Sequence, residues 1–526
     1  MNHSPVPLLL FRAAAAFSTF STFRALTAAA VALSTLTACN KGDRPPAPTF
    51  TELFQPVSGT LMTESSPAFT DLDGDGVADI VFGTGVDRVR PNGPHLQFTG
   101  EPTVSGEVIA VSGKTNEMLW KVANPRDAFT TPRFVKLNGD AVPDVVMGGR
   151  EGILSAYDGP TGKLIWRLVG DDIVRSSFPY YFLSPAVIGD VNGDGVADLV
   201  DTYGGNDTKN STDPRDPGYV MLISGKDGKV LKKFQTPDGA ATYASPVVYR
   251  RHDGSEWLVF GTGGETKPGA EYRVPVASLV DSTFATKVER LVPIGTKGVI
   301  APPTIIDING DGEPDIVVST FDGRLVALDG ATGKPFWEHD DKNEEAYHSA
   351  AVIRMAQGKL GLFLSRGIGV FPKYVGTVHR LYDATTGQIL YEFKDPNYPG
   401  GAPLAVDLTG DGIDDPMFFT IKYPGGQGAT IYLLHLPTKK LISHNVDGNL
   451  WSTPAIADVR GTGKLELVAL TWLAGKEGGT MARPDLSWQL HRYDLSAKTP
   501  STRTWAGYMG TSNDGVYHAL SAADHK

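Results

Sequence analysis

The chain repeats one alternation of apolar and polar residues eight times. In each repeat a small residue and a proline, or an equivalent residue in one case, precede a short apolar strand, a polar turn and a second apolar strand. The positions that open the repeats are Pro67, Pro132, Pro185, Pro246, Pro303, Ala350, Pro403 and Pro454. Each interval has room for four short antiparallel strands, and one such sheet cannot bury both of its faces alone. Neighbouring sheets must therefore stack.

Sheets that stack into a closed ring leave only short, protected edges. The pattern therefore predicts an all-β fold, a single β-propeller of eight blades with four antiparallel strands each. The blades are expected to begin near residues 66, 131, 184, 245, 302, 349, 402 and 453, within a propeller domain of residues 51–526. The alternatives are a seven-bladed ring and an open solenoid, but a solenoid would need polar caps at its ends, and none stands out.

The first 38 residues have the character of an export signal. They carry Arg12 and Arg24 but no acid, and the apolar run of residues 25–33 is too short for a permanent helix across a bilayer, which needs roughly 20 residues. Residues 39–50 are polar and rich in proline, which suits an extended tether. The sequence thus predicts a signal peptide over residues 1–38 and a tether before the propeller.

The signal ends in Leu36-Thr37-Ala38-Cys39, which resembles the lipobox of bacterial lipoproteins. The resemblance implies lipidation of Cys39 and, because Asn40 follows, an outer-membrane lipoprotein on the periplasmic or cell-surface side. A buried free thiol is the alternative for this residue. Cys39 is the only cysteine, which excludes an intramolecular disulfide.

Composition and charge narrow the class of protein. The 60 glycines and 37 prolines suit many short strands joined by turns. The formal net charge of −11 argues against a nucleic-acid partner, because phosphate backbones are bound by basic surfaces.

Four of the predicted turns between first and second strands carry oxygen-bearing side chains at alternate positions. Hard oxygen ligands at loop positions one, three, five and nine suit calcium, and glycine at position six permits the bend. The predicted ligands are Asp71, Asp73, Asp75, Asp79, Asp190, Asn192, Asp194, Asp198, Asp307, Asn309, Asp311, Asp315, Asp407, Thr409, Asp411 and Asp415. We therefore expect calcium as a cofactor, up to four ions, with metal-free Asp/Gly turns as the alternative.

These loops resemble the FG-GAP or VCBS repeats of integrin-type propellers. An EF-hand would need a bidentate Glu at position twelve, where this chain has Phe82, Asp201, Val318 or Phe418. The other blades lack the pattern; the second has Lys136 and Ala141, for example.

The later strands carry a second repeat, LSAYDGPTGKLIW ending at Trp166, LVALDGATGKPFW ending at Trp337 and HRLYDATTGQILY ending at Tyr391. It resembles the repeats of pyrroloquinoline-quinone-like propellers, an eight-bladed family. The two resemblances together cover about residues 60–510. They imply the same architecture but different functions.

The predicted topology separates two faces of the ring. The oxygen-rich loops share one face, whereas the long connections between second and third strands, residues 84–105, 203–218, 261–274, 366–376, 422–429 and 472–487, lie on the other. Long loops on a rigid scaffold are where binding usually occurs. The candidates for this partner face are Phe129, Phe182, Tyr243, Tyr347, Trp451, Arg366, Lys373, Trp472 and Arg483. Packing between blades is the alternative for the aromatic members.

No catalytic or cofactor-binding set stands out. The sequence has no HExxH or GxSxG motif, and His348 beside Tyr347 is the only suggestively placed histidine. We expect a lipid-anchored, calcium-stabilised scaffold of the cell envelope that binds a protein or glycan partner without catalysis. A propeller enzyme, similar to polysaccharide lyases or quinoprotein dehydrogenases, is the alternative.

Overall fold

The structure is a computed structural model that describes residues 49–85, 106–169, 181–205, 213–423, 426–473, 486–500 and 504–518. Within these ranges the strands form eight separate antiparallel sheets, so the predicted eight-bladed β-propeller is confirmed. Cys39, Arg483 and most of the predicted insertion 84–105 lie outside the described residues.

The first half of the ring holds blades 1 to 4. The first strands of the described residues are β1 (Thr51–Glu52) and β2 (Val57–Thr60). Blade 1 consists of β3 (Ala68–Thr70), β4 (Asp79–Thr84), β5 (Gly106–Val111) and β6 (Met118–Asn124). Blade 2 consists of β7 (Arg133–Val135), β8 (Asp144–Met147), β9 (Ile153–Tyr157) and β10 (Leu164–Val169). Blade 3 consists of β11 (Tyr181–Phe182), β12 (Ala186–Val187), β13 (Leu199–Gly204), β14 (Tyr219–Ile223) and β15 (Val230–Gln235). Blade 4 consists of β16 (Val247–Arg250), β17 (Glu256–Gly261), β18 (Glu271–Pro275) and β19 (Glu289–Arg290), with the short helices α1 (Ala277–Val280) and α2 (Phe284–Lys287) before β19.

The second half holds blades 5 to 8. Blade 5 consists of β20 (Thr304–Ile306), β21 (Asp315–Ser319), β22 (Arg324–Leu328) and β23 (Pro335–Asp340). Blade 6 consists of β24 (Glu344–Glu345), β25 (Ala351–Arg354), β26 (Leu360–Val370), β27 (Lys373–Asp383) and β28 (Ile389–Asp395). Blade 7 consists of β29 (Tyr398–Pro399), β30 (Leu404–Val406), β31 (Asp415–Ile421), β32 (Ala429–His435) and β33 (Lys440–Val446). Blade 8 consists of β34 (Ala455–Ala457), β35 (Lys464–Leu473) and β36 (Ser487–Lys498).

The N-terminal strands complete blade 8. Both β1 and β2 pair antiparallel with β36, where Thr51 faces Asp494 and Val57 faces Leu490. The last blade therefore combines strands from both ends of the chain, which closes the ring non-covalently. The sequence pattern did not reveal this closure, because β1 and β2 are short and lie outside the repeat.

Neighbouring blades are joined by tryptophans on their outermost strands. The indole nitrogen of Trp120 donates to the Gly159 carbonyl of blade 2 at 2.8 Å, and Trp166 donates to Gly225 of blade 3 at 2.7 Å. A Cβ on Gly228, which has φ +71°, would lie 2.5 Å from the Trp166 ring, so this turn requires glycine. Apolar side chains from adjacent sheets fill the space between the blades, as between blades 7 and 8.

Two arginines make the same connection where tryptophan is absent. Arg273 of blade 4 donates to the Gly330 carbonyl of blade 5 at 2.5 Å, and Arg492 of blade 8 donates to the Gly113 carbonyl of blade 1 at 2.6 Å. Arg492 therefore links the last blade to the first.

The axis of the ring is filled by residues 504–518, which we term the axial plug. Its backbone bonds to the innermost strands of blades 5, 7 and 8, at Ile305, Ala405 and Ile456. Trp505 is 1% exposed and Met509 is fully buried. The sequence analysis did not predict this element.

Candidate functional site

The sixteen predicted oxygen ligands lie in four equivalent turns, which we term the carboxylate loops of blades 1, 3, 5 and 7. Each loop joins the innermost strand of its blade to the second strand. In the blade 1 loop, the amide nitrogens of Gly74 and Gly76 donate to Asp71 at 2.8 and 3.0 Å. Both glycines have positive φ, at +77° and +81°, and a side chain at either position would be strained. The first carboxylate and two glycines thus set the turn.

The ninth residue of each carboxylate loop ties the loop to its own blade. Asp79 accepts hydrogen bonds from Leu72 N at 2.8 Å and from Gly113 N at 3.1 Å. Asp144 makes the equivalent bonds to Leu137 N and Gly159 N in blade 2, whose loop has lost other ligands. The ninth carboxylate therefore has a structural role that does not depend on a metal, which the sequence analysis missed.

Oxygen atoms converge in the blade 1 loop. Asp71, Asp73 and Asp79 each offer a carboxylate oxygen, and these three atoms lie within 4.8 Å of one another. Among the described residues, this is the one group of three or more acidic, histidine or cysteine side chains with that geometry.

The blade 7 loop has buried oxygens that lack partners. Thr409 Oγ1 and Asp415 Oδ1, at loop positions three and nine, are buried and accept or donate no hydrogen bond. Buried polar atoms normally have a partner. Burial raises the pKa of Asp415 to about 7 and that of Asp315, its counterpart in blade 5, to about 6. A cation between these oxygens would satisfy them and favour the charged carboxylates.

In two of the described loops, a basic side chain lies close to the side-chain carboxylate at position five. Lys114 Nζ lies 3.2 Å from Asp75 in blade 1, and His435 Nε2 lies 3.3 Å from Asp411 in blade 7. Lys114 lies in the turn between the third and fourth strands of its blade, and His435 ends the third strand of its blade. Spacing within the loops therefore did not predict these two contacts.

The even-numbered blades supply arginines to this face. Arg354 of blade 6 bonds through its backbone nitrogen to Asp414 at 2.7 Å, and its guanidinium lies 3.1 Å from the same carboxylate. Arg251 of blade 4 pairs with Glu313 in the blade 5 loop. In blade 8, Arg460 pairs with Glu466, which occupies loop position nine.

The opposite face holds an arc of aromatic rings. Phe129 and Tyr243 are half-buried and both contact Tyr181, with ring centroids 5.9 Å apart in each pair. Phe182 is fully buried and packs on Tyr203 inside blade 3, so its predicted place on the partner face is wrong. The adjacent Tyr181 takes the predicted position.

A second aromatic cluster lies over blades 6 to 8. Tyr398 contacts Tyr374 at 4.8 Å, Tyr423 at 5.5 Å and Trp451 at 6.0 Å between ring centroids. Tyr347 packs on Phe321 and donates to Glu265 at 2.8 Å. The predicted positions Tyr347 and Trp451 are half-buried here.

Two further predicted partner-face residues are buried. Arg366 is 2% exposed and pairs with Asp341 at 2.8 Å, and Trp472 is 3% exposed. Neither side chain is available at the surface, because both strands continue further than the sequence suggested. Among the described residues, Lys373 is the exposed member of the predicted charged set on this face.

The predicted insertion 366–376 is the end of a long hairpin, which we term the blade 6 hairpin. Its strands β26 and β27 have 11 residues each. The tip exposes Val370 by 51% and Val375 by 75%. Glu345 holds the tip in place by accepting from Phe371 N at 2.9 Å and from Tyr374 Oη at 2.6 Å. The tip is thus an apolar and well-anchored projection.

His348, the one histidine that the sequence placed suggestively, is bonded to the backbone of a neighbouring blade. Its Nε2 lies 3.0 Å from the Gly400 carbonyl, and burial lowers its pKa to about 4. Separately, none of the helices in the described part of the chain has the length and apolar character needed to cross a membrane.

Comparison with known proteins supports the fold. The FAM234A/B beta-propeller family matches residues 65–268, which is less than half of the chain. Protein FAM234B of Gallus gallus is 27% identical over 197 residues, which are 37% of this chain and 29% of that protein. The chain thus spans less than a third of the length of the curated relative that it matches.

Two solved structures resemble the ring. A europium-containing methanol dehydrogenase has a TM-score of 0.56 and 12% identity, with 85% of this chain and 93% of that one covered. Quinohemoprotein alcohol dehydrogenase from Comamonas testosteroni has a TM-score of 0.54 and 12% identity, with 85% and 77% covered. At this identity the likeness concerns the propeller fold.

Proposed function

We propose that this β-propeller is a calcium-stabilised binding scaffold of the cell envelope that acts without catalysis. The observation that carries the proposal is the convergence of Asp71, Asp73 and Asp79 in a glycine-turned loop whose pattern recurs in three other blades. Calcium takes six to eight oxygen ligands, and such loops offer carboxylate, amide, hydroxyl and backbone oxygens.

The side chains fit a calcium ion in two separate ways. In blade 1, three carboxylates lie close together, and a cation would relieve their mutual repulsion. In blade 7, Thr409 Oγ1 and Asp415 Oδ1 are buried without partners. A bound ion would supply positive charge there and hold the turn between the first two strands of the blade. The residues at loop positions one, three, five and nine would bind it.

Partner binding is assigned to the face opposite the carboxylate loops. The blade 6 hairpin supports this assignment, because Val370 and Val375 are exposed on a tip that Glu345 fixes. Exposed apolar side chains on a preorganised element lose little entropy on binding. A protein or glycan is the proposed partner, and the half-buried rings of Tyr423 and Trp451, which pack on the buried Tyr398, add contact area of the kind that is enriched at interfaces.

Attachment to the outer membrane through Cys39 belongs to the same proposal and rests on the lipobox-like residues 36–39. Cys39→Ser should leave the protein unprocessed or soluble. Detergent-phase partitioning of the variant checks this, and unchanged partitioning would contradict the lipid anchor.

The axial plug favours a scaffold over an enzyme that works at the centre of the ring. Trp505 and Met509 are buried on the axis, where the innermost strands would otherwise surround a channel. A reaction centred in that channel would first need the plug to leave.

The partner face is tested by cross-linking and affinity capture from calcium-containing membranes. Val375→Asp, at a site that is 75% exposed, should reduce capture of the partner at least about tenfold without lowering the melting temperature. Val230→Asp, on the outer strand of blade 3 and 40% exposed, is the matched control. Equal capture by both variants would place the interface elsewhere.

A further inference from the structure

The axial plug makes the contacts of a bound ligand. We propose that the channel of this propeller is a peptide-docking site, and that residues 504–518 occupy it as an exchangeable intramolecular ligand. This inference concerns the axis of the ring and is independent of calcium and of the partner face.

Backbone pairing provides the first support. The innermost strand of a blade has one unpaired edge, and added strands bind to such edges through main-chain hydrogen bonds. Trp505 exchanges two backbone bonds with Ala405, at 2.8 and 2.9 Å. Ile305 donates to the Gly515 carbonyl at 2.8 Å and accepts from Tyr517 N at 2.8 Å. The plug thus pairs with blades 5 and 7, and Ile456 of blade 8 donates to Ala506 at 2.7 Å.

Two side chains anchor the plug in two different core clusters of the ring. Trp505, 1% exposed, packs into the core shared by blades 5 to 7. Met509, fully buried, packs with blades 3 to 5, and its sulfur lies 3.8 Å from Arg133 Nη2 of blade 2. A buried aromatic anchor is typical of residues that dominate binding energy.

The charge of Arg133 provides the third support for docking. Arg133 is buried on the channel wall and donates through Nε to the Pro185 carbonyl at 2.9 Å. Burial lowers its pKa, and Asp514 and Tyr508 of the plug oppose that shift, as does Asp201 of blade 3. The Asp514 carboxylate of the plug therefore favours the charged form of the buried Arg133.

The plug also has internal structure of its own. Gly515 N donates to the Met509 carbonyl at 2.9 Å, and Asn513 N donates to the Gly510 carbonyl at 3.1 Å. Ala506 N donates to Thr511 Oγ1 at 3.2 Å. These bonds keep the segment compact, which lowers the entropy that docking costs. The kind of partner that fits the channel is a protein presenting such a loop, with an anchoring tryptophan ahead of a Gly-Tyr-Met turn.

Cutting the chain tests the proposal in the full-length protein. A site-specific protease sequence is placed at residues 501–503, the purified protein is cut, and size-exclusion chromatography follows the C-terminal fragment. We expect the fragment to co-elute with the propeller and a fluorescent peptide of residues 504–518 to replace it.

Changes in the sequence of the competing peptide distinguish specific docking from non-specific binding. They require no substitution in the propeller itself. A peptide with Trp505→Ala should compete at least about 30-fold more weakly, because a buried anchor is lost. A peptide with Ser512→Ala, changed at an exposed position, should compete as the natural one does. Release or unfolding on cutting, absence of exchange, or equal competition by the Trp505→Ala peptide would each overturn the proposal.

Discussion

The loops of blades 1 and 8 have the same turn but differ in the charge of the side chain at position three. In both, the first residue accepts backbone bonds, at 3.0 Å from Gly76 to Asp71 and at 2.6 Å from Gly463 to Asp458. Blade 1 then places Asp73 at position three. Blade 8 places Arg460 there, and its guanidinium pairs with Glu466 at position nine.

The difference shows what the turn itself requires. Backbone hydrogen bonds to the first carboxylate and two glycines with positive φ are common to both loops. Positive charge is also needed, because Glu466 is buried and acidic residues cluster in blade 1. Blade 8 takes this charge from Arg460 and Arg492 of its own chain. Blade 1 has Lys114 beside Asp75, and we infer that calcium supplies the positive charge among Asp71, Asp73 and Asp79.

Removal of calcium should lower the stability of the protein more than any of the other changes. A ligand that binds only the folded state at 100 times its Kd adds about 2.7 kcal/mol for each site, so a chelator acts on all four carboxylate loops together. Thermal unfolding with and without chelator should show a lower melting temperature that added calcium restores. An unchanged melting temperature in calcium-free buffer would refute metal-dependent stability.

The second largest loss of stability should follow from removing the buried cation Arg492 of blade 8. Arg492 and Glu466 are both fully buried, with their charged atoms 2.9 Å apart, so Arg492→Met should destabilise the fold by about 3–5 kcal/mol. Denaturant unfolding should give the same loss with and without calcium. Arg250→Met, at an exposed pair, is the control and should cost no more than about 1 kcal/mol. A loss that calcium reverses would contradict the distinction between the two loops.

A third variant converts one loop toward the other. Asp73→Arg gives blade 1 the position-three cation of blade 8, whereas Asp73→Asn only removes a ligand. Both should lose the stabilisation by one calcium site, about 2.7 kcal/mol at 100 times the Kd. In chelator, Asp73→Arg should melt at a higher temperature than Asp73→Asn. Equal melting temperatures would show that position three does not set the charge requirement.

The smallest effect should come from a single buried histidine over one pH unit, at a position outside both loops. Burial lowers the pKa of His348 to about 4 and that of His379 to about 3, below the usual 6.5. The unfolded state therefore binds protons first, and stability falls as pH drops below about 6.5, by about 1.4 kcal/mol per pH unit for each histidine. The unfolding free energy of His348→Gln should depend less on pH than that of the natural protein. His252→Gln, at an exposed position, is the control and should show the pH dependence of the natural protein. If the unfolding free energy of His348→Gln depended on pH as that of the natural protein does, His348 would not contribute to the loss of stability in acid.

The sequence was sufficient for features that repeat. The prolines fixed the innermost strands, since each begins two residues after the predicted blade start, as Ala68 and Ala455 show. The alternate oxygen ligands identified the four turns. These features depend on local residue order, which recurs eight times for the positions that open the innermost strands and four times for the oxygen ligands.

Features that occur once could not be predicted in this way. The closing strands β1 and β2, the axial plug and the blade 6 hairpin each depend on contacts between distant residues, such as Trp505 with Ala405. The sequence also could not show that Arg366 is buried. Its charge suggested a surface position, but the side chain lies in the interior and pairs with Asp341. The ninth carboxylate was assigned to metal alone because its bonds are to backbone nitrogens, such as Gly113 N, that sequence spacing does not identify.

The most direct test is the number of calcium ions bound per chain, measured by calorimetric titration of the metal-free protein. We predict four ions for the natural chain, three for Asp73→Arg and four for Arg460→Met, because only the carboxylate loops of blades 1, 3, 5 and 7 would bind calcium. Absence of binding, or an unchanged four ions in Asp73→Arg, would contradict calcium as the source of charge in these loops.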